Sequence, residues 1–155
     1  AQNGWERPDP SLGQYLVPSR RTRMNLRVPI DHVDEVSRRL EGMTLNIDGC
    51  ELTLGKPRTR ALTSHDTLYA RHVLMREDEW DDENLFLQRM ADELAAQGIK
   101  VRKALCGKGS HINTPEGPLC TRSLMIADLS PTDSLKLQQE GLGSHQHLGC
   151  GIFLP

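Results

Sequence analysis

Aromatic side chains are scarce in this chain: 155 residues hold two tryptophans, two tyrosines and two phenylalanines. That is too few for the aromatic stacking platform of an RRM, and no RNP-type signature is present. An RNA partner would therefore be read through phosphates and shape, which suits structured RNA better than single strands. Long apolar runs are also missing, and no charged leader precedes an apolar stretch. We expect a cytoplasmic protein. The four cysteines, Cys50, Cys106, Cys120 and Cys150, show no C-x-x-C spacing, so packed reduced thiols are expected rather than disulfides or zinc. G-x-S-x-G, H-E-x-x-H and the EF-hand loop are absent, and GKGS at 107–110 lacks the frame of a P-loop. No cofactor and no metal are expected.

What is there is an ordinary globular composition, 37% hydrophobic and 26% charged, with a formal net charge of -2. The charge is uneven. EDEWDDE, residues 77–83, places six acids around Trp80 and leaves the remainder net positive. We expect this run on a solvated or protein-facing surface, away from phosphates. The basic residues cluster as Arg20, Arg21, Arg23 and Arg27, as Lys56, Arg58 and Arg60, and as Lys100, Arg102, Lys103 and Lys108. Such clusters are either a solvated face or a track for phosphates.

Hydrophobic periodicity and turn chemistry divide the chain. QYLV and RMNLRV read as short strands. Asp31 is placed to cap a helix with Val33, Val36 and Leu40 on one face and Gly42 at its end. TLNI and ELTL flank the hairpin signal Asp48-Gly49. TLYARHVLM reads as a buried strand, followed by a helix over about 84–97 whose stripe is Leu87, Met90, Ala91 and Leu94, ended by Gly98. IKVRKAL is a strand, 107–118 a loop, and LCTRSLMIA a second strand. Ser130 with Pro131 and Asp133 starts a short helix running to about Glu140, and GIFL closes as a strand. From residue 67 the order is β-α-β-β-α-β, the split arrangement of ferredoxin-like folds. We therefore expect an α+β protein of tandem ferredoxin-like domains, antiparallel sheets with helices on one face. Residues 1–65 would be the later part of a first domain lacking its front, and 66–155 the second domain.

The segment GLGSHQHLGCGIF, residues 141–153, holds four glycines and two histidines. Gly141 suits a helix C-cap, while Gly149 and Gly151 flank Cys150 where a bulge or close approach would want them. Gly143 and Ser144 are left to offer backbone N–H groups to a phosphate or sugar. His145 and His147 are two apart with no third ligand beside them, so the pattern is not a metal site. His72 reads as a packed or edge residue, His32 and His65 as surface groups, and His111 as a residue of the loop between two strands.

Asp133–Pro155, DSLKLQQEGLGSHQHLGCGIFLP, resembles the C-terminal signature of the CRISPR-associated repeat endoribonucleases of the RAMP superfamily, in particular their MYXAN-like subtype. SRRTRMNLRVP, MTLNIDGCELTLGKPRTRAL, TLYARHV and SLMIADLSPTDSL follow in the order of that family. The resemblance implies a protein that binds the repeat hairpin of precursor crRNA and cuts at its base without metal, by attack of the 2′-hydroxyl on the adjacent phosphate. It also implies a partnership with other Cas subunits in a Cascade-type complex, where the protein stays on the mature crRNA. Under it, the RNA-binding set is Arg20, Arg21, Arg23, Lys56, Arg58, Arg60, Lys103 and Lys108, with Gly141, Gly143, Ser144, His145, Gln146, His147, Gly149 and Gly151 of the glycine-rich loop. Ser144, His145, Gln146 and His147 stand where the subtype often has basic residues. In the family the catalytic histidine usually belongs to the opening part of the N-terminal domain, which is expected ahead of Ala1; the resemblance assigns that role to none of the six histidines here and implies that His145 and His147 lie near the RNA. A non-cleaving subunit that caps the crRNA hairpin, or a ferredoxin-like module without nucleic acid, would use the same fold.

Overall fold

The computed structural model describes residues 23–47 and 49–155, together with the backbone of two short strands, β1 (Trp5–Glu6) and β2 (Val17–Pro18), which pair antiparallel. The chain divides into two compact units, Ala1–Arg60 and Ala61–Pro155. In the first, α1 (Val33–Leu40) precedes a hairpin of β3 (Thr44–Ile47) and β4 (Cys50–Thr53). Gly42 (φ +76°) ends the helix and Gly49 (φ +78°) turns the hairpin, its N–H held by Asn46 Oδ1 at 3.0 Å. Asp48, the other half of the turn signal, lies outside the described residues.

Two expectations fail in this unit. Asp31 does not cap α1. It sits inside a 3-10 turn, Ile30–His32, in which His32 N–H bonds the Pro29 carbonyl at 3.0 Å, and His32 occupies the cap without a side-chain bond. Proline fixes the entry so tightly that the chain turns once before the α-helix begins. Residues 23–29 join no β-ladder either, since a strand needs a partner and none pairs with them among the described residues.

The second unit carries β5 (Leu68–Leu74), α2 (Glu83–Ala96), β6 (Lys103–Thr114), β7 (Gly117–Ala127) and α3 (Pro131–Glu140). β7 is central, antiparallel to β5 on one side and β6 on the other. GIFL makes a single bridge rather than a strand: Leu154 and Tyr69 exchange both backbone hydrogen bonds, at 2.8 and 2.9 Å. That bridge puts the chain end beside β5, so the spatial order is last, first, third, second, as in ferredoxin-like sheets. The fold is α+β. Leu68, Ala70 and Val73 of β5 and Leu124 and Ile126 of β7 face Phe86, Met90 and Leu94 of α2 and Leu137 of α3. Each large side chain so buried contributes about 1.5–3 kcal/mol.

Local chemistry explains where these helices start and stop. Asp82 Oδ1 accepts from Asn84 and Leu85 N–H at 2.9 and 3.2 Å, and Ser130 Oγ accepts from Asp133 N–H at 3.1 Å. At the other end of α2, Gly98 (φ +75°) donates to Ala95 O and Ile99 to Leu94 O, a Schellman closure with Ile99 buried as its hydrophobic lid. Ile99 therefore belongs to the helix end, and the next strand starts at Lys103 rather than at 99.

The expected loop 107–118 is instead the body of a long hairpin with a two-residue turn, Thr114 pairing with Gly117. Gly117 (φ +126°) closes that turn, but Gly107 and Gly109 do not make turns. A Cβ on Gly107 would strike Ser123 Oγ, and one on Gly109 would lie 2.9 Å from the Trp80 ring, so both are places where another group needs the space. The acidic run also departs from expectation. Glu79 is only 2% exposed and is held by Arg89 and the Arg76 N–H, while Arg122, 3% exposed, bonds the Glu79, Trp80 and Gly107 carbonyls. Half-buried Trp80 lies 4.7 Å from the His111 ring. Two arginines thus clamp the run onto the sheet; Glu77, Asp78, Asp81 and Glu83 remain exposed.

Candidate nucleic-acid interface

The glycine-rich loop begins where α3 ends, with Gly141 N–H bonding Leu137 O at 2.9 Å. Its base is closed by two backbone hydrogen bonds and one from a side chain. Leu142 N–H bonds Gly151 O at 3.0 Å, Gly151 N–H bonds His72 O at 2.7 Å, and Gln97 Nε2 donates to Gly141 O at 3.1 Å. Leu142 and Cys150 are buried beneath it, and burial raises the Cys150 thiol pKa. Above this base, residues 143–149 are exposed except for half-buried His145.

The four glycines divide into two kinds. Gly141 and Gly151 have positive φ and no room: a Cβ on Gly141 would meet Gly151 O at 2.7 Å, and one on Gly151 would sit on the Leu142 carbonyl. Gly143 (φ +72°) and Gly149 (φ +87°) also take positive φ but face open space. The first pair lets two chain segments touch; the second shapes the exposed rim. His145 itself adopts φ +63°, ahead of a 3-10 turn over Gln146–Leu148. Its carbonyl accepts from Leu148 and Cys150 N–H.

The rim side chains have distinct partners. Ser144 Oγ lies 2.9 Å from His145 Nδ1, and the His145 and His147 rings stack with centroids 5.9 Å apart. Gln146 Nε2 donates to Glu140 O at 2.8 Å, so this amide braces the loop against the end of α3. A cavity of about 320 Å³ separates Gly143 and Ser144 from Leu74, Met75 and Arg76 at the end of β5 and from Arg89 and Glu93 of α2. Burial raises the Glu79 carboxyl pKa, but its bonds from Arg89 and the Arg76 N–H, with both positive charges, outweigh that and leave it below the usual range. Among the described residues no three His, Cys, Asp or Glu side chains gather as a metal would need.

The structure brings Gly141, Gly143, Ser144, His145, Gln146, His147, Gly149 and Gly151 into this one loop. Lys103 and Lys108 stand on β6, across β7 from the strand that anchors it, and Lys103 pairs with Asp128 Oδ2 at 3.0 Å. Arg23, Lys56, Arg58 and Arg60 are exposed residues of the first unit, and Arg20 and Arg21 lie outside the described residues. Sequence reasoning passed over Arg71, exposed on the loop's anchor strand, and Arg76, exposed just past that strand's end. His72 has its Nδ1 3.1 Å from Thr121 Oγ1, and burial first, then the Arg71 charge, lowers its pKa. The only signal in the sequence was Arg71-His72 standing together between Ala70 and Val73 in an otherwise alternating strand.

The family model described as Cas6 Crispr matches residues 6–155. The chain is 32% identical over 135 residues to a protein of Myxococcus xanthus (strain DK1622) named CRISPR-associated endonuclease Cas6, an alignment covering 87% of this chain and 57% of that protein.

Proposed function

This chain belongs to the Cas6 Crispr family, and from that membership we propose that it binds the repeat stem-loop of precursor crRNA and cuts at the base of the stem as an endoribonuclease in the cytoplasm. The observation that carries the reading is the family match across residues 6–155, supported by the endonuclease name of the M. xanthus relative. In the proposed reaction the 2′-hydroxyl attacks the adjacent phosphate without a metal ion, forming a cyclic phosphate and expelling the 5′-hydroxyl of the downstream nucleotide. The protein then stays on the mature crRNA as part of a Cascade-type complex with other Cas subunits.

The glycine-rich loop supports this by its shape. A rim of Gly143, Ser144, His145 and His147 offers donors with little side-chain bulk, and its closed base keeps them in place. The exposed basic residues Arg23, Lys56, Arg58, Arg60 and Lys108 supply positive charge for phosphates. The test is incubation with an end-labelled repeat hairpin in EDTA, followed by analysis of the product ends. One cut leaving a cyclic phosphate is expected. Tight binding without a cut would replace the enzyme by a hairpin-capping subunit, and absence of binding would reject both.

A further inference from the structure

The two outer strands of the second unit's sheet both break register at the same level of the central strand. On β5 the pairing runs from Ala70↔Leu124 to Val73↔Arg122, so Arg71 and His72 together oppose Ser123. On β6 it runs from Cys106↔Leu124 to Gly109↔Arg122, so Gly107 and Lys108 oppose the same serine. Two residues against one is a β-bulge, a device that re-aims side chains and is common beside active sites. Here two bulges converge on one residue.

The bulged residues face away from the helices. Ala70, Val73, Leu124 and Arg122 belong to the buried, helix-covered side, so Ser123, two residues from Thr121, lies on the opposite one. His72 reaches Thr121 Oγ1 on that side at 3.1 Å, and Ser110 Oγ lies 3.1 Å from the same hydroxyl. Gly107 carries no side chain where the Oγ of half-buried Ser123 stands, so the hydroxyl occupies the place a neighbouring Cβ would take. Arg71 and Lys108 are exposed at the two ends of the row. Adjacent strands are about 4.8 Å apart, so the two cations rise from backbones about 10 Å apart, a gap their long side chains can bridge over one phosphate.

We infer that the row Arg71, His72, Ser123 and Lys108 is a subsite for one phosphodiester of the bound RNA, a deepening that rests on the RNA-binding reading above. Arg71 and Lys108 neutralise the phosphate from either side, and the Ser123 hydroxyl donates to it from below. Because Nδ1 of His72 is engaged by Thr121, the outward nitrogen is Nε2. Nε2 contacts a phosphate oxygen as an N–H donor when it carries the ring proton or when the imidazole is protonated at both nitrogens. His72 also ties the subsite to the glycine-rich loop, since its carbonyl accepts the Gly151 N–H. One strand therefore carries a phosphate contact on its side chains and the loop's anchor on its backbone.

The experiment is a salt titration of hairpin-RNA binding by the full chain, comparing the unaltered protein, Arg71→Ala with Lys108→Ala, Ser123→Ala, and a control pair, Lys100→Ala with Arg102→Ala. Lys100 and Arg102 are exposed residues beside α2, outside the row. For the row pair, affinity should fall about tenfold or more, and the slope of log Kd against log salt should shrink by about 0.7–0.9, the share of one phosphate contact. Ser123→Ala should lower affinity about threefold to tenfold with the slope unchanged, because it removes a neutral donor. The control pair should alter neither quantity as much. If the unaltered protein binds and the row pair matches it in both affinity and slope, the subsite is refuted while RNA binding stands. If the unaltered protein binds no hairpin, the functional reading falls and the subsite with it.

Discussion

Gly143 and Gly151 share a loop and a left-handed backbone, but only Gly151 is pressed against another segment. Gly143→Ala should therefore cost about 1–2 kcal/mol, the strain of a side chain in that region. Gly151→Ala should cost more, because its Cβ must displace the Leu142 carbonyl and the bond to His72. Urea midpoints of the two variants check this; equal losses would mean that the close contact relaxes freely. His72 supports a pH prediction. Its folded pKa lies below the ordinary value of about 6.5, so the unfolded chain binds the proton more readily. The stability this group contributes is fully present above the unfolded value and is lost as pH falls through the folded one. His72→Gln should thus narrow the difference in Tm between about pH 7.5 and pH 5.5. Neither effect was readable from the residues alone, because a crowded glycine and an open one look the same in a sequence.

At the scale of the elements, local chemistry was the better guide. Ser130 and Pro131 begin α3 as their order suggested, and Gly98 ends α2. Asp82 was overlooked inside the acidic run, although its carboxylate caps the longest helix. Asp82→Ala should cost about 1 kcal/mol, within the usual range of 0.5–2 for a lost N-cap, and thermal denaturation would show it; Asp81→Ala, a neighbour without a capping bond among those seen at the helix start, should cost less. The β6–β7 hairpin was misread for a physical reason. Glycine at 107 and 109 signals that something lies close to the backbone, and in a short window a turn is the commonest cause. Here the causes are Ser123 and Trp80, which come from elsewhere in the chain. Arg122 shows the same dependence on distant partners. In sequence it is a charge inside an apolar strand, and in the fold it gathers carbonyls from two other segments. Arg122→Met should destabilise the second unit by about 3 kcal/mol, since three carbonyls lose a charged donor, and the Trp80 fluorescence should report loosening of the acidic run before global unfolding.

For the molecule as a whole, the basic clusters predict how the proposed RNA binding would respond to salt. Replacing Arg20, Arg21 and Arg23 by alanine should weaken hairpin binding about equally for different repeat sequences and flatten the salt dependence, because phosphate contacts carry no sequence information. An unchanged slope would place these residues off the RNA path. No helix among the described residues is long and apolar enough to cross a membrane. The order of strands and helices from residue 67 onward and the helix signals at Ser130 and Gly98 were determined by the sequence itself, since these follow from periods of two and 3.6 and from bonds made within a few residues, whereas the face that α2 buries, Phe86, Met90 and Leu94, lies one position off the expected stripe. So was the identity of the glycine-rich loop as a feature to be explained. The tertiary structure alone decided which glycines are crowded, which acid of the 77–83 run is buried, and that two bulges meet at Ser123. Each depends on the register and approach of segments tens of residues apart, and that information exists only once the strands have paired.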